Sequence, residues 1–208
     1  MKKGKMRTPK KDQIPDSVQD RILESALKLF SQKGYAASIR EISEASATTL
    51  PSIYYHFKNK EGLYQKLMLN RLSELESLTE IDDHFPGSVG EKLKIFVVTT
   101  YRKLIGSDDD MAFFRLLTVV SYGPPNSTPP FDIEPYYRKL REYITNIIAS
   151  GIESGEFRSW NPEHMSTIVL GTVQQVISDI LCFGTSKEKS QKTLEDVIDL
   201  ILSGFRGE

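Results

Sequence analysis

Apolar residues recur every three or four positions in the first sixty residues, which is the spacing of amphipathic helices. Three short helices are predicted there, over about 17–34, 38–46 and 49–57, and each starts at a residue whose side chain can cap a helix. Small residues separate the second helix from the third. Three short helices with such a tight turn are typical of a helix-turn-helix unit.

The rest of the chain also has helical spacing. A fourth, longer helix is predicted from Asn59 to about Ile81, and the segment "DDHFPGSVG" interrupts the pattern after it. Further helices are predicted over about 88–106, 109–122, 132–154, 162–184 and 187–206. The stretch "GPPNSTPP" is a loop, because four prolines in eight residues cannot lie inside a helix. Neither strand alternation nor a fixed repeat is visible, so the predicted fold class is all-α.

The third helix has one face suited to a core and one suited to a nucleic acid. Ile53 and Phe57 are predicted to point to the core, and the outward positions are Leu50, Ser52, Tyr54 and Tyr55. Hydroxyl groups can bind base edges or phosphates, and a leucine can contact a thymine methyl group in the major groove. The pattern predicts a recognition helix, and Lys60 adds positive charge beside it at the start of the fourth helix.

The net charge of −1 conceals an uneven distribution. Residues 1–60 hold twelve Lys or Arg against six Asp or Glu, a balance of +6, whereas residues 61–208 have a balance of −7. Only the first part is suited to a polyanion. Six of its basic residues lie in the tail "MKKGKMRTPKK", where their charge could serve only solubility.

The stretch "ILESALKLFSQKGYAASIREISEASATTLPSIYYHFKNKEGLY", residues 22–64, resembles the DNA-binding signature of the TetR family of bacterial transcriptional regulators. This resemblance implies an all-α fold, in which a three-helix helix-turn-helix domain is joined through a fourth helix to a larger helical domain for ligand binding and dimerisation. The implied division is a flexible basic tail over 1–16, a DNA-binding domain over 17–62 and the larger domain over 63–208.

The resemblance also implies which residues contact DNA. The expected phosphate or base contacts are Arg40, Thr49, Leu50, Ser52, Tyr54, Tyr55, His56 and Lys60. For His56, packing within the domain is an equal alternative. Two positions depart from the family pattern, Ala47 and Pro51. Because glycine is usual at the first, the backbone at Ala47 must either avoid a strongly left-handed conformation or bear modest strain.

A two-fold dimer is expected, because a single recognition helix reads too few base pairs to be selective. The last two helices carry wide apolar stripes, and in the resembling family these helices form a four-helix bundle between subunits. The stripes consist of Met165, Ile168, Val169, Val173, Val176, Ile177, Ile180, Leu181, Leu194, Val197, Ile198, Ile201, Leu202 and Phe205. Their alternative role is to cover the core of a single subunit.

The resemblance further implies a cavity for an unknown small-molecule effector, whose binding would favour a conformation that no longer fits the operator. The candidate lining residues are aromatic or apolar: Tyr101, Phe113, Phe114, Leu117, Tyr122 and Phe183. Ordinary core packing is the alternative for each. The predicted function is that of a ligand-responsive, dimeric DNA-binding regulator, and a repressor is favoured over an activator.

Other classes of function have weaker support in the sequence. A single cysteine, Cys182, rules out a multi-cysteine metal site, and no nucleotide-binding glycine loop or nucleophile motif is visible. We therefore predict no catalytic residues, no cofactor, no metal and no enzymatic activity. No apolar run of eighteen residues and no signal peptide is apparent, so a cytoplasmic protein without a membrane partner is expected. An enzyme and a helical protein-interaction module remain the alternatives.

Overall fold

The structure, a computed structural model, describes residues 17–80, 85–123, 129 and 131–206. Within these ranges it contains α-helices and short 3-10 turns and no strand, which confirms the all-α prediction. The helices are α1 Val18–Lys33, α2 Ile39–Ala45, α3 Leu50–Phe57, α4 Lys60–Glu76, α5 Val89–Ile105, α6 Asp108–Tyr122, α7 Glu134–Glu153, α8 Pro162–Phe183 and α9 Lys187–Arg206. The predicted tail, 1–16, lies outside the described residues.

Side-chain caps fix where the first four helices begin. The capping side chains are those of Ser17, Ser38, Thr49 and Asn59, each of which accepts a hydrogen bond from a backbone N–H in the first turn. At Ser38 the bond is reciprocal, because the Glu41 carboxylate accepts from the Ser38 backbone N–H at 2.7 Å. The fourth helix is shorter than predicted: α4 ends at Glu76, and a 3-10 turn, Ser77–Glu80, follows.

The N-terminal core is shared between α1–α4 and one face of α6. Ile22, Phe30 and Ile53 are almost fully buried in it. This core extends beyond residue 62, the predicted end of the DNA-binding domain. From α4 it includes Leu63, Tyr64, Leu67, Met68 and Leu72, and from α6 it includes Ala112, Phe113, Leu116 and Leu117. The DNA-binding unit and the larger part therefore pack as neighbours through a continuous apolar contact.

The second core lies between α5, α7, α8 and α9. Eight members of the predicted dimer stripes are buried in it: Met165, Val169, Val176, Ile177, Leu194, Ile198, Leu202 and Phe205. Val173, Ile180, Leu181, Val197 and Ile201 are partly buried. Covering the core of one subunit is thus the main role of the stripes, and of the predicted set only Ile168 is exposed among the described residues.

Apolar surface nevertheless remains on the last two helices. Leu200 is 71% exposed and Phe183 is 79% exposed, in addition to Ile168. Among the described residues, α8 is also long enough and apolar enough to cross a membrane, judged by length and composition only. Its inner side chains, including Met165 and Val169, pack in the second core.

Candidate nucleic-acid interface and ligand cavity

The turn between α2 and α3 is built by small hydroxyl side chains. Ser43 Oγ donates to the Thr48 carbonyl at 2.7 Å, and the buried Ser46 Oγ donates to the Ile42 carbonyl at 2.7 Å. The Ser46 and Thr48 hydroxyls are also hydrogen-bonded to each other at 2.7 Å. These groups satisfy the backbone where the chain reverses, so they hold α3 in position and are not themselves free to bind DNA.

Ala47 lies at the apex of this turn with φ +49°. This is the left-handed region, which glycine adopts freely and alanine adopts at a cost of about 1 kcal/mol. The sequence left two alternatives at Ala47, a conformation outside the left-handed region or modest strain, and the structure shows the strained conformation. Pro51 fits without strain, because it lies in the first turn of α3, where its missing N–H has no helical partner.

The recognition helix α3 has the two faces that the sequence predicts. Ile53 and Phe57 are buried in the N-terminal core. Tyr55 is 85% exposed, Tyr54 is 49% exposed and Leu50 is 38% exposed. The two buried side chains anchor the helix, so α3 presents two phenol rings and a leucine to solvent on a rigid support.

The other residues predicted to contact DNA lie around this face, and they differ in exposure and in the groups to which they are bonded. His56 is exposed, and its ring lies edge-on to Tyr55 with the centroids 5.1 Å apart. Thr49 is exposed, but its hydroxyl caps α3. Ser52 is half-buried. Arg40 is exposed on α2, and its guanidinium pairs with Glu44 at 3.2 Å, an ion pair that a DNA phosphate could replace at little cost because both groups are solvated.

The side chain of Lys60, which was predicted to contact a phosphate, is bonded within the protein. Its ammonium donates to the Tyr35 carbonyl and lies 4.0 Å from the centre of the Tyr35 ring. The ring itself packs edge-on against Tyr64 at 5.5 Å. Burial lowers the pKa of Lys60, since the charged form loses water. A phosphate contact from this ammonium would require it to leave Tyr35, so the geometry favours a role in joining α4 to the turn after α1.

A cavity lies between α4, α5, α6, α7 and α8. Its space, including the opening to solvent, is about 1070 Å³. The apolar lining consists of Leu72, Leu75, Phe96, Val97, Leu104, Phe114, Leu117, Ile133, Tyr136, Leu140, Ile144, Leu170, Val173 and Ile177. The polar lining consists of Glu76, Thr79, Thr100, Tyr137, Lys139 and Gln174. Glu76 and Lys139 form an ion pair.

One polar atom inside the cavity is unusual. Thr100 Oγ1 is buried and has no hydrogen-bond partner among the described residues. An unpaired buried hydroxyl is costly, because it has given up its hydrogen bonds to water. Burial also raises the pKa of the Tyr137 phenol, with the neighbouring Tyr122 adding to the effect.

The predicted ligand-binding residues separate into two groups. Phe114 and Leu117 line the cavity. The other four do not: Tyr101 and Phe113 are buried in the cores, and Tyr122 and Phe183 are largely exposed. Tyr122 lies at the edge, where its hydroxyl accepts from Gln174 Nε2 at 2.8 Å. Aromatic residue type alone does not distinguish a cavity wall from a core.

The sequence prediction missed most of the wall, which α4, α5 and α7 supply. Leu75, Phe96, Tyr136 and Leu140 are examples. Their helical spacing was a visible signal, because each lies on the inner face of an amphipathic helix. The spacing cannot show which of the inner side chains pack against another helix and which line the cavity.

Helix α6 connects the cavity to the DNA-binding unit. Leu117 lines the cavity and also belongs to the N-terminal core, and Phe114 faces the cavity beside Phe113 of that core. Lys28 on α1 pairs with Asp109 on α6 at 3.7 Å. Helix α6 thus contributes side chains both to the cavity wall and to the core that it shares with α1.

Comparison with known protein families identifies both parts of the chain. Residues 22–67 match the sequence model described as bacterial regulatory proteins, tetR family, and residues 100–198 match the tetracyclin repressor-like C-terminal domain. Together the two matches cover more than half of the sequence. This chain belongs to the TetR family.

Two curated regulators match this chain over different lengths. The fatty acid metabolism regulator protein of Bacillus subtilis is 21% identical over 189 residues, which are 90% of this chain and 95% of that protein. The negative transcriptional regulator IcaR of the icaADBC biofilm operon in Staphylococcus epidermidis is 39% identical over 54 residues, 26% of this chain and 29% of that protein. The chain is a DNA-binding transcriptional regulator of the helix-turn-helix type.

The fold of this TetR-family chain is similar to that of a solved regulator. The structure of FadR from Bacillus subtilis in complex with stearoyl-CoA aligns with a TM-score of 0.69 and 19% identity, and covers 89% of this chain and 98% of that one. At this level of identity the similarity shows the fold.

Proposed function

We propose that this TetR-family regulator binds a palindromic operator as a homodimer, represses transcription there, and is released by a mainly apolar small molecule. The observation that carries the proposal is the two-faced α3: Tyr54 and Tyr55 face solvent while Ile53 and Phe57 anchor the helix in the core. A helix supported from behind and exposed in front is what entry into a major groove requires.

The proposed DNA contacts follow from this exposure. Leu50 can touch a thymine methyl group, and Tyr54 and Tyr55 can donate to base edges or phosphates. Thr49, Ser52 and His56 lie on the same helix or at its start, and Arg40 flanks it on α2. Lys60 supports the interface by joining α4 to Tyr35.

Dimerisation through α8 and α9 would cover the apolar surface that the single chain leaves open. Ile168 and Leu200 are exposed on these helices. At Gly171 no atom lies within 4 Å of where a Cβ would stand, so another helix could approach closely. Two copies would place two α3 helices on one face of the duplex, about one helical turn apart.

The chemistry of the cavity defines the class of effector. Most lining side chains are aliphatic or aromatic, so an effector would be apolar over most of its length, with one oxygen or nitrogen near Thr100. The FadR relative that binds stearoyl-CoA supports a long apolar chain. Repression is supported by IcaR, a negative regulator. The proposal includes no catalytic step and places the protein in the cytoplasm, where the operator DNA lies.

Selection of binding sites from random duplexes tests the DNA-binding part. We expect a palindrome with two half-sites about one helical turn apart, and affinity that falls steeply as salt rises. The control is the double variant Tyr54→Ala/Tyr55→Ala, which should fold and select no sequence. If wild-type protein binds no duplex, or binds with no salt dependence, the chain would instead be a protein-interaction module. Turnover of a substrate library by the purified protein would favour an enzyme.

A series of straight-chain alcohols from four to twelve carbons tests the effector class. Each added CH₂ that enters the cavity should strengthen binding by about fourfold, following from about 0.8 kcal/mol per buried CH₂. Binding is read from thermal stabilisation, and release from a labelled operator duplex. Phe114→Trp, which fills part of the cavity, should weaken binding of the longer alcohols more than binding of the shortest one. No increase with chain length would contradict an apolar effector.

A further inference from the structure

Two residues, Lys58 and Asn59, connect α3 to α4, and the backbone of Lys58 is strained. Lys58 follows the last residue of α3 with φ +65° and ψ −49°, and the Asn59 backbone N–H donates to the Phe57 carbonyl at 2.7 Å. A hydrogen bond that spans one residue with these angles defines a γ-turn of the rarer form, which is strained for any residue with a side chain.

Neighbouring groups hold this turn in place. The Lys58 N–H donates to the Tyr54 carbonyl at 2.9 Å, and the Asn59 side chain accepts from the Gly62 N–H at 2.7 Å. At Gly62 a Cβ would lie 2.3 Å from the Phe57 carbonyl oxygen, so α4 can begin this close only with glycine at that position. Strain of this kind persists where the surroundings fix the conformation, and it is concentrated at functional sites.

Glycine would adopt the Lys58 conformation freely, yet the chain has a lysine there. Its side chain is exposed. Within residues 17–62, ion pairs join Lys33 to Glu41 and Arg40 to Glu44, and no carboxylate among the described residues pairs with Lys58. The neighbouring Lys60, by contrast, is hydrogen-bonded to Tyr35. Lys58 is thus the solvated cation beside the C-terminal end of the recognition helix.

We propose that Lys58 binds a DNA backbone phosphate at the edge of the groove that α3 enters, and that the strained turn is retained because it presents this ammonium there. The partner is the phosphodiester of the duplex, recognised by charge and not by sequence. A phosphate contact fixes the register of the recognition helix while Tyr54 and Tyr55 face the bases. The inference rests on the DNA-binding function of the chain.

Two matched glycine variants separate the contact from the strain. Lys58→Gly and Ala47→Gly each replace a residue with positive φ by glycine, at opposite ends of α3, and only the first removes a charge. Both should raise the midpoint of thermal unfolding, since glycine relieves the strain. Lys58→Gly alone should weaken binding several-fold, and equally for a duplex selected by the wild-type protein and a random duplex of the same length.

The salt dependence of binding identifies the lost phosphate contact. The slope of log affinity against log salt should decrease by about 1 for each Lys58 in contact, so by about 2 for a dimer. Ala47→Gly should keep the wild-type slope, and Lys58→Arg should also keep it, because it keeps the charge. These measurements use the full chain and the two duplexes named above.

The possible results lead to different conclusions. An unchanged slope in Lys58→Gly, with or without weaker binding, would overturn the proposal, because the charge would then make no contact. A lower unfolding midpoint in that variant would overturn the argument from strain. Failure of the wild-type protein to bind either duplex would instead reject the DNA-binding function itself.

Discussion

The Lys60 ammonium donates a hydrogen bond to the Tyr35 carbonyl and lies 4.0 Å from the centre of the Tyr35 ring. The two residues belong to the first turn of α4 and to the 3-10 turn after α1, so this contact joins two segments that are 25 positions apart in sequence. The contact combines a charge-assisted hydrogen bond with a cation–π interaction in a half-buried location, which strengthens both. It stabilises the frame on which α3 rests.

Lys60→Met tests this supporting role. Methionine keeps much of the aliphatic stem and removes the charge, so the packing on Tyr35 is retained while both polar interactions are lost. We expect the free energy of unfolding to fall by about 1 kcal/mol, and affinity to fall alike for all duplexes. Chemical denaturation and duplex titration at one salt concentration measure the two effects. Unchanged stability would mean that the bond to Tyr35 contributes nothing and that the ammonium is available for a DNA phosphate.

Tyr55→Ala tests whether the exposed face of α3 contacts the bases of the operator. Because Tyr55 is 85% exposed, the substitution should change the free energy of unfolding by less than about 0.5 kcal/mol. Affinity should fall more for the selected operator than for random DNA, by about 1–3 kcal/mol on the operator if the phenol contacts a base edge. Tyr55→Phe, which lacks only the hydroxyl, separates hydrogen bonding from packing. Equal losses on both duplexes would mean that Tyr55 grips the backbone only.

Glu41→Gln tests the cap of α2 through its pH dependence. The hydrogen bond from Lys33, with those from Ser38, lowers the pKa of Glu41 from 4.5 to about 2. A carboxyl group with a lowered pKa stabilises the folded state above its unfolded pKa and loses this contribution as pH falls towards the folded value. We therefore expect the wild-type protein to be more stable than the variant above pH 4.5, with the difference decreasing between pH 4.5 and 2.

Thermal unfolding at a series of pH values measures this difference for Glu41→Gln. Glutamine can still accept from the Ser38 N–H, so the geometry of the cap is kept and the loss of charge is isolated. A titration of the Glu41 carboxyl followed by NMR gives the pKa directly. A constant difference between the two proteins over this range would contradict the assignment.

The helices and their starts were predictable from sequence because the signals are local. Ser38 and Glu41 are three residues apart, so their reciprocal bond depends on no distant group. The outward and inward faces of α3 follow from helical period in the same way, as Tyr55 and Phe57 show. The strain at Ala47 is one of the two outcomes expected from the sequence, because glycine is usual at this position in the resembling family.

The cavity wall was not predictable because it depends on how distant helices meet. Phe113 and Phe114 are adjacent and chemically identical, yet only Phe114 faces the cavity. Which of them does so is set by how α6 packs against α1 and α5. The position of the Lys60 ammonium has the same origin, since Tyr35 reaches it only after α1 and α4 have packed.

Thr100→Val tests whether the Thr100 hydroxyl in the cavity lacks a hydrogen-bond partner. The two side chains have the same shape, and valine removes a buried polar atom that has no partner among the described residues. Without effector, the free energy of unfolding should rise by about 1 kcal/mol. Thr99→Val is the matched control, because Thr99 is the exposed neighbour on the same helix and its change should be small. A less stable Thr100→Val would show that the hydroxyl is already satisfied in solution.

Leu200→Glu tests the assembly through α9. Leu200 is 71% exposed, so the single chain loses little packing, whereas a dimer that buries this side chain would have to bury a carboxylate in its place. We expect light scattering to show a shift from dimer to monomer, and affinity for a two-half-site operator to fall because one copy reads one half-site. Leu69→Glu provides the control, because Leu69 is an exposed leucine on α4, a helix outside the proposed interface. If Leu200→Glu remains dimeric and binds the operator as wild type does, the subunits meet elsewhere, and the exposed leucine has another partner.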